Sequence, residues 1–524
     1  MKFDVVVVGS GFGGAVVAAR LAEAGRSVCV LERGRRWDPV EFPRTFSQAG
    51  TGVWDEHGQY GFLDYRVFRR LDVIQGAGVG GGSLHYFNVQ LRAPDAIFER
   101  PGWPAVITRP LLDTYYDRVG EVVECAAVDH GATARPLPDR TSVFLEGARG
   151  AGYDPHLVPL AIHTGPTRRH PVSGMVQEPC TYTSDCLLGC RPRSKNSLDV
   201  TYVPLGERQG MEVRPLHLVE GVEADGDDGY TVTVRRLDPD HPGSFDRCRV
   251  RARALVLAAG TLGSTELLLR ARRDGSLPRL PPALGGRFST NGDMLFAGTL
   301  GVDRVVDPSS GPSITAGAFV QRPGSAHVIQ VQDLGYPPAL TSLFDGTLPL
   351  PSRARSLGQA AVGYVQAARD GSSFPARRLF GGSFVPHFLP YLGIGTDAGN
   401  GHFHLDARGR LRIDWDPSAS AAMYEEMEDA MGRMSAALGG EFVRSLPWRR
   451  PFRRLLTAHP LGGCVMSDSP AAGVVDHRGQ VWGHPGLYVA DGSVVPGPLA
   501  VNPSLTIAAL AERTAQWMVH GREA

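Results

Sequence analysis

Residues 5–14 read VVVVGSGFGG, a short apolar run that ends in a cluster of glycines. Four valines in succession are typical of a strand buried on both faces, and residues 15–24 have the small side chains of a helix packed on a sheet. Gly9, Gly11 and Gly14 form the pattern G-x-G-x-x-G at the strand-to-helix turn. The first glycine permits the tight turn, the second lets backbone N–H groups approach a pyrophosphate, and the third lets helix pack on strand.

Glu32 supports the interpretation of this turn as a dinucleotide-binding motif. It lies at the end of a second predicted strand, over residues 27–31. A carboxylate in this place accepts hydrogen bonds from a ribose diol. The alternative is a coincidence of three glycines in a chain that contains 65 of them. The motif alone does not distinguish FAD from NAD.

The same order of strand, glycine turn and helix recurs far along the chain. Residues 254–259 (ALVLAA) are another apolar run, followed by a glycine and a predicted helix over residues 264–272. Near the C-terminus, residues 487–490 predict a short strand, and residues 503–519 predict a helix with proline in its first position. Asn502 stands at the predicted N-cap of that helix. These pieces predict an α/β domain assembled from separated stretches.

The segment between these pieces differs in composition and in hydrophobic pattern. Residues 308–415 are rich in Pro and Gly and contain short alternating segments, such as residues 327–332 and 411–415. Such alternation predicts an antiparallel sheet inserted into the α/β framework. We therefore expect a discontinuous nucleotide-binding domain from residues 1–95, 195–300 and 455–524, and a second domain from residues 96–194 and 301–454.

Composition and charge exclude several classes of protein. The chain has 524 residues, with 54 Lys and Arg against 54 Asp and Glu, so no long-range field attracts nucleic acid or anionic lipid. No apolar stretch approaches the roughly 18 residues that a membrane span needs, and the N-terminus lacks the features of a signal peptide. Seven cysteines, an odd number, do not resemble a secreted disulfide framework. We expect a cytoplasmic protein with a small-molecule partner, no nucleic acid and no membrane span.

A second glycine-rich block covers residues 75–88, QGAGVGGGSLHYFN. Such a run has no preference for helix or strand, so one interpretation is a flexible loop. The other is a backbone wrapped closely around a flat ligand. In that case the candidate contacts to a cofactor are Gly78, Gly82, Ser83, His85 and Asn88.

Further segments complete a pattern that extends over nearly the whole chain. They contain His459 in TAHPLGGC, the pair Asp491-Gly492, and VNPSLTIAALAER from Val501. With these, the chain resembles the glucose-methanol-choline (GMC) family of FAD-dependent oxidoreductases, and within it the cholesterol-oxidase-like branch. The motifs that carry the resemblance are GSGFGG, GVGGGSL, LVLAAGTLGSTELL, FSTNGD, HPLGGC, GLYVADGSVVPG and VNPSLTIAALAER. The resemblance implies a Rossmann-type FAD-binding domain with an inserted α+β substrate domain built on an antiparallel sheet.

The resemblance also assigns roles to residues near the C-terminus. His459 matches the family's active-site histidine, and Asn502 matches its asparagine partner. An imidazole can take the hydroxyl proton of an alcohol, and an amide can hold the resulting alkoxide-like oxygen. For Asn502 the alternative is a helix cap with no other role. Asp491 resembles the residue that bonds the ribityl chain, and Pro503 is a further candidate contact to FAD.

For His85 and for the cysteines, the alternatives stay open. In choline-oxidase-like relatives a histidine at the position of His85 is joined covalently to the flavin, whereas here it could instead pack noncovalently near the ring. A metal or iron–sulfur centre needs four ligands, and only Cys180, Cys186 and Cys190 cluster in this sequence. Buried or loop thiols are therefore favoured, and we expect no metal. Cys464 is expected to contribute packing.

Gln332 marks a departure from the cholesterol-oxidase-like branch. In that branch a glutamate on a strand, in a segment ending in proline, moves the proton that shifts the steroid double bond. Aligning HVIQVQDLGYPP by Pro337 places Gln332 there. An amide has no proton to exchange near neutral pH, so Gln332 orients a substrate but does not act as an acid. The alternative is an alignment shifted by one residue, with Asp333 as the acid.

These residues lead to one preferred function and two alternatives. We expect FAD-dependent oxidation of an alcohol on a bulky, largely apolar substrate such as a sterol, with His459 as base and without coupled isomerisation. The electrons then pass to oxygen or another acceptor. One alternative is an FAD tailoring enzyme that dehydrogenates or rearranges a natural-product intermediate. The other is a flavin electron-transfer protein with a metal centre.

Overall fold

Two large β-sheets with packed helices form the framework of the described chain. The computed structural model describes residues 2–128, 130, 136–226, 229–340, 387–445, 448 and 454–523, so part of the predicted inserted region lies outside the described residues. Within these ranges the α-helices are α1 (Phe12–Glu23), α2 (Phe46–Ala49), α3 (Asp95–Phe98), α4 (Arg109–Val123), α5 (Asp139–Gly150), α6 (Tyr202–Arg208), α7 (Gly260–Asp274), α8 (Ala421–Ala437) and α9 (Ser504–His520).

The strands follow in the same numbering. They are β1 (Lys2–Val8), β2 (Val28–Leu31), β3 (Leu63–Val67), β4 (Leu71–Gly76), β5 (Pro155–Leu157), β6 (Arg168–Arg169), β7 (Val176–Gln177), β8 (Glu212–Arg214), β9 (His217–Ala224), β10 (Tyr230–Leu237), β11 (Phe245–Leu257), β12 (Met294–Leu300), β13 (Ala316–Phe319), β14 (Ile329–Asp333), β15 (Phe388–Gly395), β16 (His402–Leu405), β17 (Leu411–Asp414), β18 (Glu441–Val443), β19 (Leu455–Thr457) and β20 (Leu487–Val489).

The seven-stranded sheet is the predicted nucleotide-binding sheet. Its order is β8-β2-β1-β11-β10-β9, and β20 pairs with the end of β11. Strands β8, β2, β1, β11 and β20 are parallel to one another, whereas β10 is antiparallel to both of its neighbours, β11 and β9. Val5 to Val8 of β1 are buried between β2 and β11. The unbroken valine run reflects this position, because a central parallel strand is covered on both faces.

The C-terminal helix departs from its predicted start. Helix α9 begins at Ser504, and Pro503 rather than Asn502 occupies its N-cap position. The side-chain oxygen of Asn502 instead accepts a hydrogen bond from Gln332 Nε2 at 2.7 Å. Asn502 is therefore not the N-cap of α9, and the prediction that it caps this helix was wrong.

The six-stranded sheet is antiparallel throughout, as the alternation of residues 327–332 predicts. Its order is β18-β12-β15-β14-β13-β5. Helices α5 and α8 pack against its strands. Strand β12 belongs to this sheet, although the predicted division at residue 300 places it with the nucleotide-binding domain. The predicted domain boundaries otherwise stay a prediction.

A smaller three-stranded sheet leads the chain to His459. Strand β19 lies parallel to β4, and β4 is antiparallel to β3. His459 follows β19 by two residues, so this sheet sets where the HPLGGC segment begins. None of the described helices is both long and apolar enough to cross a bilayer.

Gly14 offers a test of the close packing between helix α1 and the first turn. A Cβ atom built at Gly14 would lie 2.0 Å from the carbonyl oxygen of Gly9, a backbone atom that cannot move alone. We expect Gly14→Ala to lower stability by about 1–3 kcal/mol, the usual cost of overpacking. Thermal unfolding in saturating FAD measures the effect.

The matched control is Gly120→Ala in helix α4. A Cβ atom there would meet nothing within 4 Å, and the backbone is helical. This variant should be unchanged or more stable, since alanine restricts the unfolded chain more than glycine does. Equal melting temperatures for the two variants would contradict the packing argument.

Candidate active site

A cavity of about 940 Å³ extends from the seven-stranded sheet to the six-stranded sheet. One end is formed by the first glycine turn and Glu32, and the other by Leu334 and residues around His459. The structure brings most of the predicted site residues to its wall. Those lining it are Gly9, Gly11, Glu32, Gly82, His85, His459, Asp491, Asn502 and Pro503.

Ser10 and Glu32 connect the two ends of the first strand-helix-strand unit. The Ser10 hydroxyl donates to Glu32 Oε2 at 2.7 Å, and the Ser10 N–H donates to the same oxygen at 3.1 Å. The other carboxylate oxygen of Glu32 accepts from the Gly34 N–H at 2.9 Å. Burial raises the pKa of the Glu32 carboxyl, whereas these hydrogen bonds act in the opposite direction. Ser10 has a role that the glycine pattern did not indicate.

The second glycine block is an ordered turn that packs on the first. Gly80 has φ +108°, and a Cβ atom on Gly81 would lie 2.6 Å from Gly11 Cα. The Gly80 N–H donates to the Ser10 hydroxyl at 3.0 Å. Behind this turn, the buried Lys195 ammonium donates to the Leu84 carbonyl at 2.8 Å. These contacts favour the ligand-wrapping interpretation over the flexible loop.

Four predicted cofactor contacts lie behind the cavity wall. Gly14 packs against Gly9, and a Cβ atom on Gly78 would touch the Leu84 side chain. The buried Ser83 hydroxyl donates to the Gly80 carbonyl. Asn88 has φ +67°, and its amide donates to the Cys186 sulfur at 3.4 Å. These four residues, Gly14, Gly78, Ser83 and Asn88, shape the turns and do not line the cavity.

His85 presents a polar atom that no described residue satisfies. Its Nε2 is buried without a hydrogen-bond partner, and the residue lines the cavity. Burial, the largest cause, and the positive charge of Lys195 lower the pKa of His85 to about 3. The imidazole is therefore neutral at physiological pH, and its Nε2 is left for a ligand in the cavity.

Asp491 joins strand β20 to the N-terminus of helix α7. One carboxylate oxygen accepts from the Ser493 N–H at 2.8 Å, and the other accepts from the Ser264 hydroxyl at 2.5 Å. Burial raises the pKa of this carboxyl. Asp491 thus lines the cavity while holding together the two elements that border it.

His459 is paired with a buried carboxylate. Its Nδ1 lies 2.7 Å from Asp293 Oδ1, and the Asp293 side chain is 1% exposed. The second oxygen of Asp293 accepts from the Thr457 hydroxyl at 2.8 Å and from the Ala458 N–H at 3.1 Å. A carboxylate accepts only, so Nδ1 donates to it and Nε2 of the neutral imidazole is left as an acceptor. This arrangement gives His459 the form that a general base needs.

Asn291 and Asp293 are functional candidates that the sequence prediction did not include. The Asn291 amide donates to the Val501 carbonyl at 2.8 Å, and its oxygen accepts from the Leu499 N–H at 2.7 Å. Asn291 therefore holds the loop that carries Asn502, while Asp293 holds His459. Both lie in FSTNGD, a segment that the family resemblance included without a role for either side chain.

Gln332 and Asp333 point to opposite sides of strand β14, as the alternation of side chains along a strand predicts. Gln332 Nε2 donates to the oxygen of Asn502, yet Gln332 itself does not line the cavity. Asp333 accepts from the Ala316 N–H at 2.8 Å and from the Thr141 hydroxyl at 2.6 Å. Asp333 is thus held on the side away from Asn502, which argues against the alternative that it is the acid.

Three of the predicted cysteine thiols, those of Cys180, Cys190 and Cys464, are buried and have raised pKa values. Burial raises the pKa of Cys180 and of Cys464 to about 12, and it also raises the pKa of Cys190. A thiol with a raised pKa is a poor nucleophile and a poor metal ligand. Within the part of the chain that the structure describes, no group of three or more His, Cys, Asp or Glu side chains could hold a metal ion.

Comparisons with known proteins agree with this geometry. The family model described as GMC oxidoreductase matches residues 404–511, and the NAD(P)-binding Rossmann-like domain matches residues 7–37. The chain is 30% identical to a cholesterol oxidase of Mycobacterium tuberculosis over 98% of this chain and 90% of the relative. It is 29% identical to a cholesterol oxidase of Acinetobacter baumannii, over 98% and 94%. A structure of formate oxidase from Aspergillus oryzae RIB40 shares the fold, with TM-score 0.65, 15% identity and coverage of 99% and 98%.

The chain therefore belongs to the GMC oxidoreductase family, in its cholesterol-oxidase-like branch. It is an FAD-dependent oxidoreductase. The predicted family, fold class and cofactor are confirmed.

The residues of the cavity fit FAD at three places. Helix α1 begins at the glycine turn with no side-chain cap, so its first N–H groups are available to a pyrophosphate. Glu32 accepts three hydrogen bonds from the protein, and a carboxylate has about four acceptor sites, which leaves one for a ribose hydroxyl. His85 Nε2 is a buried atom without a described partner, and a bound ligand can satisfy it.

Glu32 offers a test of the cofactor end of the cavity. In Glu32→Gln the single amide oxygen cannot accept from both Ser10 and Gly34, so an amide N–H would face a buried donor. Such a mismatch costs about 1–3 kcal/mol, and FAD affinity should fall about tenfold or more. Titration of the apoprotein with FAD measures the dissociation constant, with the quenching of flavin fluorescence as the signal.

The control for this variant is Glu99→Gln, because Glu99 is exposed and does not line the cavity. Its dissociation constant for FAD should equal that of the unmodified protein. If the two variants bound FAD equally well, Glu32 would have no part in holding the nucleotide.

Proposed function

We propose that this protein oxidises the CH–OH group of a bulky, largely apolar alcohol such as a sterol. FAD supplies the acceptor for the hydride when it is bound, and the electrons later pass to oxygen or another acceptor. His459 takes the hydroxyl proton on Nε2, and Asn502 contacts the substrate oxygen. Asp293 keeps His459 in the tautomer that can accept this proton.

The pairing of His459 with buried Asp293 carries the proposal. The imidazole is 15% exposed and lines the cavity, whereas the carboxylate is almost completely buried behind it. A carboxylate so placed stabilises the imidazolium that forms when the base takes a proton. His459, the proposed base, is thus held in one orientation by Asp293. It lies where the cofactor end of the cavity meets the opposite end.

The wall opposite the glycine turn favours an apolar substrate. Side chains of the six-stranded sheet and its connections form this wall. They are Leu295, Phe296, Leu334, Tyr336, Leu340 and Leu392, and Phe87 and Leu187 add to it. Contact with such a wall removes apolar substrate surface from water. This burial contributes about 25 cal/mol of favourable free energy per Å² of apolar surface. The similarity to two cholesterol oxidases supports the same class of substrate.

Two observations favour oxidation without isomerisation. Gln332 has an amide where the branch has a glutamate, and an amide does not exchange protons near neutral pH. Asp333, the neighbouring carboxylate, hydrogen bonds to Thr141 and Ala316 on the other side of the strand. Shifting a double bond requires a group that both removes and returns a proton, and neither residue meets that need at the cavity.

Replacement of His459 tests the role of the base. We expect His459→Gln to slow anaerobic reduction of the bound flavin by cholestanol about 10²–10⁴-fold, the usual range for general base catalysis. FAD content should barely change. Stopped-flow absorbance of the flavin measures the rate, and a panel of alcohols from small polyols to sterols defines the substrate class.

His520→Gln is the control, since this exposed histidine ends helix α9 away from the cavity. Asp293→Asn should also slow reduction, because an amide turned toward His459 would favour the wrong tautomer. A His459→Gln enzyme reduced at the rate of the His520→Gln enzyme would remove His459 from the mechanism. Faster reduction by small polyols than by sterols would favour the tailoring-enzyme alternative.

Product analysis tests the absence of isomerisation. We expect turnover of cholesterol, if the enzyme accepts it, to accumulate the unconjugated ketone, because no proton-exchanging side chain replaces the missing glutamate. The conjugated enone absorbs in the ultraviolet, so its appearance can be compared with flavin reduction. Formation of the conjugated product at the rate of flavin reduction would contradict this part of the proposal.

A further inference from the structure

A chain of three side-chain amides runs from strand β14 to the cavity. Gln332 Nε2 donates to Gln330 Oε1 and to Asn502 Oδ1, each at 2.7 Å. Gln330 and Gln332 are completely buried, whereas Asn502 lines the cavity. The central amide therefore touches the cavity only through Asn502.

The direction of these hydrogen bonds determines what Asn502 presents to a ligand. An amide nitrogen has two hydrogens, and Gln332 uses one for Gln330 and the other for Asn502. The oxygen of Asn502 is thus already engaged, and its N–H₂ group is left for the cavity. Turning Asn502 over would place its N–H₂ group against that of Gln332, so two buried donors would face each other. Such a contact is unfavourable because each donor loses its acceptor.

A donor at this place suits the chemistry of the proposed reaction. Negative charge develops on the alcohol oxygen as its proton moves toward His459. A donor that is already oriented stabilises that charge without reorganisation, and the effect is large in a site shielded from water. An outward oxygen on Asn502 would instead repel the developing charge.

We propose that Gln332 is a positioning residue that orients the Asn502 amide, so that its N–H₂ group faces the substrate oxygen. This inference rests on the proposed function for the identity of the ligand. The role of Gln332 is therefore to set the donor at the site, in the position where the related branch has a glutamate.

Two variants separate this role from simple packing. In Gln332→Glu an ionised carboxylate only accepts, so it repels the Asn502 oxygen and turns the amide over. Burial raises the pKa of such a carboxyl, and once protonated it can again donate to Asn502. Gln332→Met has a similar size and neither donates nor titrates. Gln332→Met is therefore also the pH control: any pH dependence that it keeps comes from the other titratable groups at this end of the cavity, which are His459, Asp293 and His85.

The main measurement is binding of cholestanone to the oxidised holoenzyme, read from the flavin absorbance between pH 5 and pH 9. The ketone oxygen is an acceptor, so it reports the outward donor without turnover. We expect Gln332→Glu to bind cholestanone about tenfold more weakly at pH 9 and to recover as the pH falls. Gln332→Met should bind it more weakly at every pH, with the pH dependence of the unmodified protein. Flavin reduction by cholestanol should fall about 10–100-fold in both variants.

The opposite direction of the amide chain gives a different result. If the Asn502 oxygen faced the cavity, Gln332 would act as acceptor, and Gln332→Glu would bind cholestanone as the unmodified protein does at every pH. That result overturns the proposal. If Gln332→Glu does not fold, unchanged cholestanone binding by Gln332→Met overturns it equally. Failure of every alcohol to reduce the unmodified enzyme contradicts the proposed function instead, and the two failures are distinguishable.

Discussion

The hydroxyl of Ser10 holds together three parts of the chain that are distant in sequence. It donates to Glu32 at the end of strand β2 and accepts from the Gly80 N–H of the second glycine turn. Because one small side chain makes both contacts, the two turns approach until Gly81 lies against Gly11. A side chain at Gly81 would separate the turns, because its Cβ atom would lie 2.6 Å from Gly11 Cα. The cofactor end of the cavity depends on this contact.

The substrate end depends in the same way on one short segment. Residues 289–293 lie between helix α7 and strand β12, and their side chains reach His459 and the loop before Asn502. Asn291 binds the backbone of the loop before Asn502, and Asp293 binds His459. Asp397 in turn accepts from the Ser289 hydroxyl at 2.6 Å. His459 and the loop that carries Asn502 therefore share one support, although they lie on different elements.

This arrangement divides the polar groups of the site by function. The carboxylates of Asp293, Asp333, Glu32 and Asp491 are buried and accept hydrogen bonds from the protein, which offset part of the cost of their burial. At the substrate end the cavity receives a ring nitrogen of His459 and the amide of Asn502 amid apolar side chains. A few polar groups among apolar side chains orient a ligand by its polar atoms, while burial of its apolar part contributes affinity.

The sequence by itself determined the nucleotide-binding framework. The valine run, the G-x-G-x-x-G turn and Glu32 are local signals, since each reflects the backbone or burial of a few adjacent residues. The same holds for the alternation that predicted the antiparallel sheet and placed Asp333 opposite Gln332. The family resemblance added His459 and Asn502 as candidates.

Only the tertiary structure decided which side chains meet. Asp293 is paired with His459 across 166 positions of the chain, and Gln332 with Asn502 across 170, distances over which no local pattern carries information. The same reason explains the error at Asn502: this residue has the sequence context of a helix cap, but Gln332 of the six-stranded sheet donates to its oxygen. Gly78, Ser83 and Asn88 lie in the right turn, yet the packing of that turn directs them away from the cavity. Long-range packing therefore selects, among chemically suitable residues, those that reach the site.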